Sequence, residues 1–298
     1  MAERLSEVEA HLDNVRQLSS VIAAMRGIAA ARSREAGQRL ASIRAYADTI
    51  ARAIGEALLH LPGNGAASDP APDAPDAPGP HGTRAIIIAL CSEQGFVGGY
   101  NGTVLDRAAA LLANEAAGRA QLLLVGTRGL VAASERGLVA DWSVPMASHV
   151  EEVTALANRL ADTLFDRMAD GPVARVAIVH ARPSPSAATD IVEEMLIPFD
   201  YARFPKMRVG NKGGGNPPIL QLPPAMLLAR LADEYVFAQL CEALTLSFAA
   251  ENEARMRAMV AARDNVGRKQ DELTATARRL RQEQITEEVI ELAAGVRA

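Results

Sequence analysis

Cysteine and histidine are scarce in this chain, which carries two cysteines and five histidines among its 298 residues. Cys91 and Cys241 lie in separate segments without a CxxC spacing, and the histidines are scattered. The sequence therefore predicts neither a disulfide framework nor a zinc site, and we expect no cofactor. Two isolated cysteines also suit a reducing compartment.

Long apolar runs and an excess of positive charge are missing as well. The longest apolar runs, such as Ala85 to Cys91, are far too short to cross a bilayer. Charged side chains begin at Glu3, so we expect no signal peptide and a chain that stays in the cytoplasm. The net charge of -5 argues against a general nucleic-acid binder, because such domains are basic.

Recognisable catalytic and nucleotide-binding motifs are also absent from the sequence. Gly95, Gly98 and Gly99 stand between a predicted strand and a predicted helix, where phosphate-binding loops occur, but their spacing is not G-x-G-x-x-G. The chain has no GxxxxGK[ST] loop, and no Ser/His/Asp or Cys/His set emerges. We therefore predict a structural turn at these glycines, in preference to a nucleotide site, and a chain that is not catalytic.

Proline is missing from both ends of the chain, before Pro62 and after Pro224, and both ends keep apolar residues at seven-residue spacing. The first column consists of Val8, Val15, Ile22, Ala29, Ala36, Ile43, Ile50 and Ala57. The second consists of Met259, Val266, Leu273 and Leu280. Stripes this long predict two helices that pair as a left-handed coiled coil.

The middle of the chain alternates short β-rich runs, such as Leu138 to Val144, with helical patterns, such as Val104 to Ala117. This alternation is typical of an α/β domain with a largely parallel sheet. The predicted fold class is α/β, with a Rossmann-like domain inserted between the two helices of a long antiparallel coiled coil. The predicted units are an N-terminal shaft helix at 1–61, a Pro/Ala/Asp-rich linker at 62–82, the α/β domain at 83–206, a return linker at 207–224 and a C-terminal shaft helix at 225–298.

The two predicted helices differ in length, so the end of the longer one has no partner. If Leu61 lies near Ala225, Glu3 lies opposite about Glu283 at ~1.5 Å per residue. After Leu280 the apolar residues also move to a new face of the helix. That face consists of Ile285, Val289, Leu292 and Val296. We predict an amphipathic tip that needs a socket in another protein; the alternative is a frayed terminus.

The same register places Ala23 to Ala31 opposite Arg255 to Arg263. The apolar contact between the helices is reduced there, because the second seam position of each heptad holds small or polar residues. These are Ser19, Arg26 and Ser33 on the first helix and Arg263 and Gln270 on the second. Two interpretations remain open and compatible: arginines reach outward to another chain, and alanines allow close packing of the helices.

Ordered motifs then give the chain a resemblance to a known family. They are AAMRGIAAARSREA at 23–36, LCSEQGFVGGYN at 90–101, AENEARMRAMVAARDN at 250–265 and RQEQITEEVIELAAG at 281–295. The set resembles the gamma subunit of F-type rotary ATP synthases, over nearly the whole chain. The departures, VIAAMRG in place of a lysine-rich run and the Pro-rich linker, are compatible with a divergent second-copy form.

The resemblance implies a non-catalytic central stalk, whose rotation changes the nucleotide affinity of surrounding catalytic sites. It implies the alpha and beta subunits of the catalytic head, the epsilon subunit and the membrane c-ring as partners, and no nucleic acid. It also implies a peripheral place at the cytoplasmic face of the plasma membrane, as part of the complex. The positions that match family contacts between shaft and head are Met25, Arg26, Arg255, Arg281, Gln282 and Thr286.

Two other classes of function compete with this interpretation. One is a coiled-coil scaffold unrelated to rotation, and the other is a nucleotide-dependent enzyme with helical arms. Neither explains why family motifs occur at both ends of the chain.

Overall fold

A computed structural model describes residues 2–60, 84–115, 118–184, 189–199, 204 and 220–295. The predicted linker at 62–82, most of the return linker at 207–224, and Val296 lie outside the described residues.

Two long helices run the length of the molecule, α1 at Ala2–Leu59 and α5 at Pro224–Gly295. They are antiparallel, because Arg44 near the end of α1 pairs with Glu242 in the first half of α5, while Glu9 pairs with Arg281. The Arg44 Nε to Glu242 Oε1 distance is 2.7 Å. Counting from Glu3 opposite Glu283, the predicted register also puts Arg44 opposite Glu242, so the structure agrees with it.

The predicted apolar columns face the partner helix. All eight members of the α1 column are buried or half-buried, with Ile22, Ala29, Ala36 and Ala57 fully buried. In α5, Met259 is buried and Val266, Leu273 and Leu280 are half-buried. The coiled-coil prediction is therefore confirmed. From Val266 onward the column residues of α5 are only half-buried, because only a narrow stripe of each helix is covered by its partner.

The α/β domain contains a five-stranded sheet with the order β3-β2-β1-β4-β5. The first four strands in this order are parallel, and β5 is antiparallel to β4. The strands are β1 Arg84–Leu90, β2 Ala120–Val125, β3 Trp142–Val144, β4 Val173–Arg182 and β5 Asp190–Ile197. The helices are α2 Tyr100–Ala113, α3 Thr127–Glu135 and α4 Val153–Ala169, preceded by a 3-10 turn at Val150–Glu152. This arrangement confirms the predicted class.

Two elements differ from the predicted ranges. Strand β3 was expected from Leu138 but begins at Trp142, because the Leu138 N–H still bonds to the Ala133 carbonyl of α3 and the Asp141 carboxylate accepts from the Leu122 N–H. Helix α2 was expected from Val104 but begins at Tyr100, whose ring is buried and whose hydroxyl lies 2.8 Å from Ser247 Oγ of α5. A contact with the distant shaft helix thus sets where α2 begins.

The sheet has an apolar core on each face, and α5 contributes to both. Ile86, Ile88 and Leu90 of β1 point to one face, where α4 and the α5 residues Leu240 and Leu244 cover them. The other face of β1 packs against α2, together with Ala250 and Ala254 of α5. Residues of α5 therefore belong both to the coiled coil and to the two apolar cores of the α/β domain. Among the described residues, no helix has the length and apolar character needed to span a membrane.

Candidate functional site

A groove between α1 and α5 brings together the two segments that the register predicted to be neighbours. It is lined by Arg26, Gly27, Ala30 and Arg34 of α1 and by Met256, Arg257, Val260, Ala261 and Asp264 of α5. On the α1 side the lining has two small residues, Gly27 and Ala30. The lining as a whole combines apolar side chains with three arginines and one aspartate, which suits an apolar segment that carries carboxylates.

Two of the predicted contact residues, Met25 and Arg26, belong to this level of the shaft. Met25 is half-buried and Arg26 is exposed. The other shaft level holds Arg281, Gln282 and Thr286, about 20 residues further along α5, or ~30 Å at ~1.5 Å per residue. The predicted contacts thus lie at two levels of the shaft. We call Met25 and Arg26 the lower ring, and Arg281, Gln282 and Thr286 the upper ring.

The upper ring is polar and accessible. The Arg281 side chain is exposed and pairs with Glu9 across the coiled coil. Gln282 and Thr286 are also exposed, and the Thr286 hydroxyl donates to the Gln282 carbonyl at 2.8 Å. These side chains are therefore accessible to another chain.

The tip of α5 carries apolar side chains in solvent. Ile285 is 54% exposed, Val289 57% and Leu292 71%, and Ile290, which the sequence analysis did not select, is 61% exposed. Because all four are more than half exposed, the partner helix α1 does not cover this stretch. The expectation of an unpaired amphipathic end agrees with this geometry.

Arg255 differs from the expectation of an outward contact. It is 4% exposed, and its guanidinium points at the β1–α2 loop of the α/β domain. Its Nε donates to the Gly95 carbonyl and its Nη2 to the Gln94 carbonyl, both at 3.2 Å. Nη2 also lies 2.5 Å from the carboxylate of Glu251. A buried cation needs such partners, so the domain captures a side chain that would otherwise point to solvent.

Two carboxylates that the sequence analysis missed occupy the edge of the sheet where α/β proteins commonly bind ligands. Glu251 accepts from the backbone N–H groups of Glu93 and Gln94, at 3.3 and 3.5 Å. Glu93 accepts from the N–H of Thr127 at the start of α3, at 3.0 Å, and from the Met146 N–H at 2.8 Å. Four backbone amides at this edge are therefore already bonded to the chain's own carboxylates, which favours a structural turn there.

Burial controls the electrostatics of this network. Glu251 is 3% exposed, and its desolvation raises the pKa of its carboxyl above the ordinary value, while the Arg255 charge and hydrogen bond oppose the rise. Glu251 could have been suspected from sequence, because it stands four residues before Arg255 on a helix. The local pattern does not reveal that the pair is buried.

These features define a class of protein: a helical stalk that carries an α/β domain and acts through contacts. Among the described residues no group of three or more His, Cys, Asp or Glu side chains could hold a metal ion. The candidate functional surfaces are the groove, the upper ring and the tip.

The sequence matches the family described as ATP synthase over residues 4–298, and the chain belongs to that family. Curated relatives are named ATP synthase gamma chain. That of Chlorobium luteolum is 27% identical, covering 99% of this chain and 98% of the relative. That of a Parafrankia species is 28% identical, covering 100% and 98%.

Solved structures show the same fold. The rotor of Euglena gracilis mitochondrial ATP synthase matches with a TM-score of 0.58 and 15% identity, covering 96% of this chain and 100% of that chain. The central stalk/c-ring structure of the Tetrahymena thermophila mitochondrial enzyme matches with a TM-score of 0.53 and 16% identity, covering 81% and 99%. The prediction of a non-catalytic gamma subunit is confirmed by the family and its relatives, in preference to a scaffold or a nucleotide-dependent enzyme. The subunit is part of a membrane-associated complex.

Proposed function

We propose that this chain is the central-stalk rotor that couples ion-driven rotation of a membrane c-ring to ATP synthesis or hydrolysis in the catalytic head. The observation that carries the proposal is the unequal coiled coil, which projects from the α/β domain and ends in an exposed apolar tip. A stalk of this shape presents different side chains in each direction. As it turns, it can favour a different conformation of each surrounding catalytic subunit in succession.

We assign the two rings and the tip to the alpha and beta subunits of the head. Met25 and Arg26 act in the lower ring, and Arg281, Gln282 and Thr286 in the upper ring. Ile285, Val289, Leu292 and Val296 form the bearing tip. Arg255 belongs to the same level as the lower ring, but its burial supports an indirect role.

We assign the α/β domain, with the adjoining lower shaft, to the epsilon subunit and the c-ring. The division of the chain at 1–61, 62–82, 83–206, 207–224 and 225–298 belongs to this proposal. So does the location: a peripheral position at the cytoplasmic face of the plasma membrane, reached through the complex.

Reconstitution tests the proposal directly. The full chain, with a label on the α/β domain, is combined with the alpha and beta subunits of the same organism, and rotation is recorded during ATP hydrolysis. We expect unidirectional rotation. We expect Arg26→Ala to lower the ratio of ion pumping to ATP hydrolysis in the whole enzyme. Assembly without rotation would refute the rotor function.

A further inference from the structure

A polar cleft lies beside the lower shaft, between α1, α5 and the edge strand β5. Its volume is about 590 Å³, within the ~300–1,000 Å³ that is typical of ligand-binding clefts. The polar residues that line it are Arg44, Asp48, Glu194, Gln239 and Glu242, together with Tyr235. The lining therefore holds three carboxylates and one arginine.

The single arginine of the cleft is already paired within the chain. Arg44 Nε lies 2.7 Å from Glu242 Oε1. Glu194 Oε1 lies 3.5 Å from Nε2 of the fully buried His180. The Asp48 carboxylate is exposed and has no hydrogen bond or ion pair among the described residues. The cleft thus keeps an acceptor, and a negative charge, that its own chain does not neutralise.

Gln239 gives a second and independent indication of a ligand. The residue is only 8% exposed, yet its Oε1 is buried without a hydrogen-bond partner among the described residues. Buried polar atoms in folded proteins nearly always have such a partner. An amide can also present its oxygen or its nitrogen by a half-turn of the terminal bond. Gln239 therefore lines the cleft with hydrogen-bonding capacity that the chain itself does not use.

A cationic group that carries several N–H donors fits this lining. A guanidinium or an ammonium donates to Asp48 and to the Gln239 oxygen at once, and such charge-assisted bonds are the strong ones. Met195 and Ala51 supply apolar surface for the aliphatic stem of a lysine or an arginine, and Tyr235 supplies an aromatic ring. An anion would instead meet an excess of carboxylates.

The height of the cleft on the shaft indicates which partner supplies the cation. On α1 the cleft ends at Ala51, eight residues or ~12 Å before Leu59, and on α5 it begins at Tyr235, eleven residues or ~17 Å after Pro224. A ring beneath the stalk meets the lower ends of the helices first. A subunit that packs against the side of the α/β domain reaches strand β5 and the cleft together.

We propose that this cleft is a receptor for a lysine or arginine side chain of the epsilon subunit. The proposal rests on the assignment of the α/β domain and the lower shaft to that partner, and it specifies the chemistry of the contact. The inserted cation binds Asp48, Glu194 and Gln239, while the pair formed by Arg44 and Glu242 borders it.

Titration of the full chain with the purified epsilon subunit, at low and at high salt, provides the first test. We expect Asp48→Asn to raise the dissociation constant about tenfold and to reduce its salt dependence, because one charge of the contact is lost. The matched control is Asp271→Asn. It makes the same change at an exposed carboxylate of α5, ~45 Å beyond Glu242, and should leave affinity unchanged. Equal affinity of the two variants would overturn the proposal.

Gln239→Leu separates a binding role from a structural one. The substitution keeps a side chain of similar bulk but removes the amide, so it should also weaken epsilon binding about tenfold. The melting temperature of the free chain should not fall, because the amide oxygen has no partner there to lose. A lower melting temperature with unchanged affinity would show that Gln239 is a structural residue and would refute its place in the receptor.

Cross-linking in the whole enzyme identifies the occupant. Asp48→Cys introduces an accessible thiol, whereas the two native cysteines are buried. A photoreactive maleimide is attached at this position, and the linked peptides are identified by mass spectrometry after illumination. We expect a product with the epsilon subunit. A product with the c subunit alone, or with residues 205–219 of the same chain alone, would mean that another segment fills the cleft.

The outcomes separate this inference from the proposed function. If the unaltered chain does not bind the epsilon subunit, the assignment of that partner and the receptor both fail. If it binds and the enzyme rotates, while Asp48→Asn and Gln239→Leu bind as tightly as Asp271→Asn, only the receptor is refuted.

Discussion

The two halves of α5 have different surroundings, although they belong to one continuous helix. From Tyr235 to Met259 most side chains are buried between α1 and the α/β domain. From Val260 onward Ala277 is the one fully buried side chain among those described, and the apolar side chains described beyond Gln284 are more than half exposed. The half up to Met259, which packs against the domain, is apolar on nearly all sides. The half from Val260 onward, which projects from the domain, has a single apolar stripe. The comparison teaches that one half is held by its own chain and the other is left for contacts elsewhere.

The largest expected effect concerns the tip. Deleting Ile285 to Ala298 should leave the unfolding of the free chain almost unchanged, because the described apolar side chains there are more than half exposed. Assembly with the catalytic subunits should weaken strongly. Burial of each such side chain in a socket contributes ~1.5–3 kcal/mol as an upper estimate. Complex yield and thermal stability measure this, with Arg281→Ala as the comparison. Normal assembly of the truncated chain would mean that the tip is a frayed end.

Loss of Arg255 should be the most damaging single change in the half that packs against the domain. Arg255→Ala leaves the buried Glu251 carboxylate without its cation, which typically costs ~3–5 kcal/mol of unfolding free energy. Arg26→Ala, an exposed arginine at the same height, should change it by no more than ~0.5 kcal/mol. Urea unfolding of the full chain compares them. Equal effects would contradict the assignment of Arg255 to the domain contact.

Apolar truncation should show the same contrast. Leu244→Ala removes a fully buried side chain from the shared core and should destabilise the chain by ~2–5 kcal/mol. Leu280→Ala, in the shallow seam of the projecting half, should cost about 1 kcal/mol. The test is the shift in the urea midpoint at unchanged slope. A larger loss at Leu280 would break the distinction between the halves.

The pH dependence of stability should reveal the burial of Glu251 as a smaller effect. Its pKa is raised in the folded chain above the ordinary value of 4.5, so protonation favours the folded state. Its contribution is complete below about pH 4.5 and is lost as the pH rises through the raised pKa. The stability of Glu251→Gln relative to the original chain should therefore increase with pH across this window. Unfolding curves measured from pH 4.5 to 7 would show a constant difference if the carboxyl were not desolvated.

No measurable effect is expected from nucleotides on the α/β domain. At the carboxyl edge of the sheet Glu251 already accepts from the backbone N–H groups of Glu93 and Gln94, and Glu93 accepts from that of Thr127. Calorimetric titration of the full chain with ATP or NAD should give no binding at micromolar concentrations. Micromolar binding would contradict this account of the turn.

The helices were the most predictable part of the fold. The seven-residue columns, such as Ile22 to Ala36, identify the buried seam because helix periodicity is a local property of sequence. The chain lengths then gave the register that Arg44 and Glu242 display. The α/β class followed from alternating patterns in the same way, while the length of β3 and the start of α2 depended on contacts that these patterns do not contain.

The direction in which Arg255 points could not be deduced from its place in a family motif. A helical arginine near a partner helix can reach outward or inward, and the choice depends on whether another element supplies acceptors. Here the carbonyls of Gln94 and Gly95, about 160 positions earlier in the chain, supply them. Glu93 was overlooked for the same reason, because its partners Thr127 and Met146 become neighbours only when the sheet forms.

The sequence by itself determined two helices of unequal length, their pairing, an inserted α/β domain and an apolar end without a partner. These properties depend on spacing along the chain, which helix and strand geometry convert directly into buried and exposed faces. Only the tertiary structure decided that Glu251 and Arg255 form hydrogen bonds with the turn between β1 and α2 of the α/β domain. Buried polar groups must find partners wherever the fold brings them, and those partners are distant in sequence.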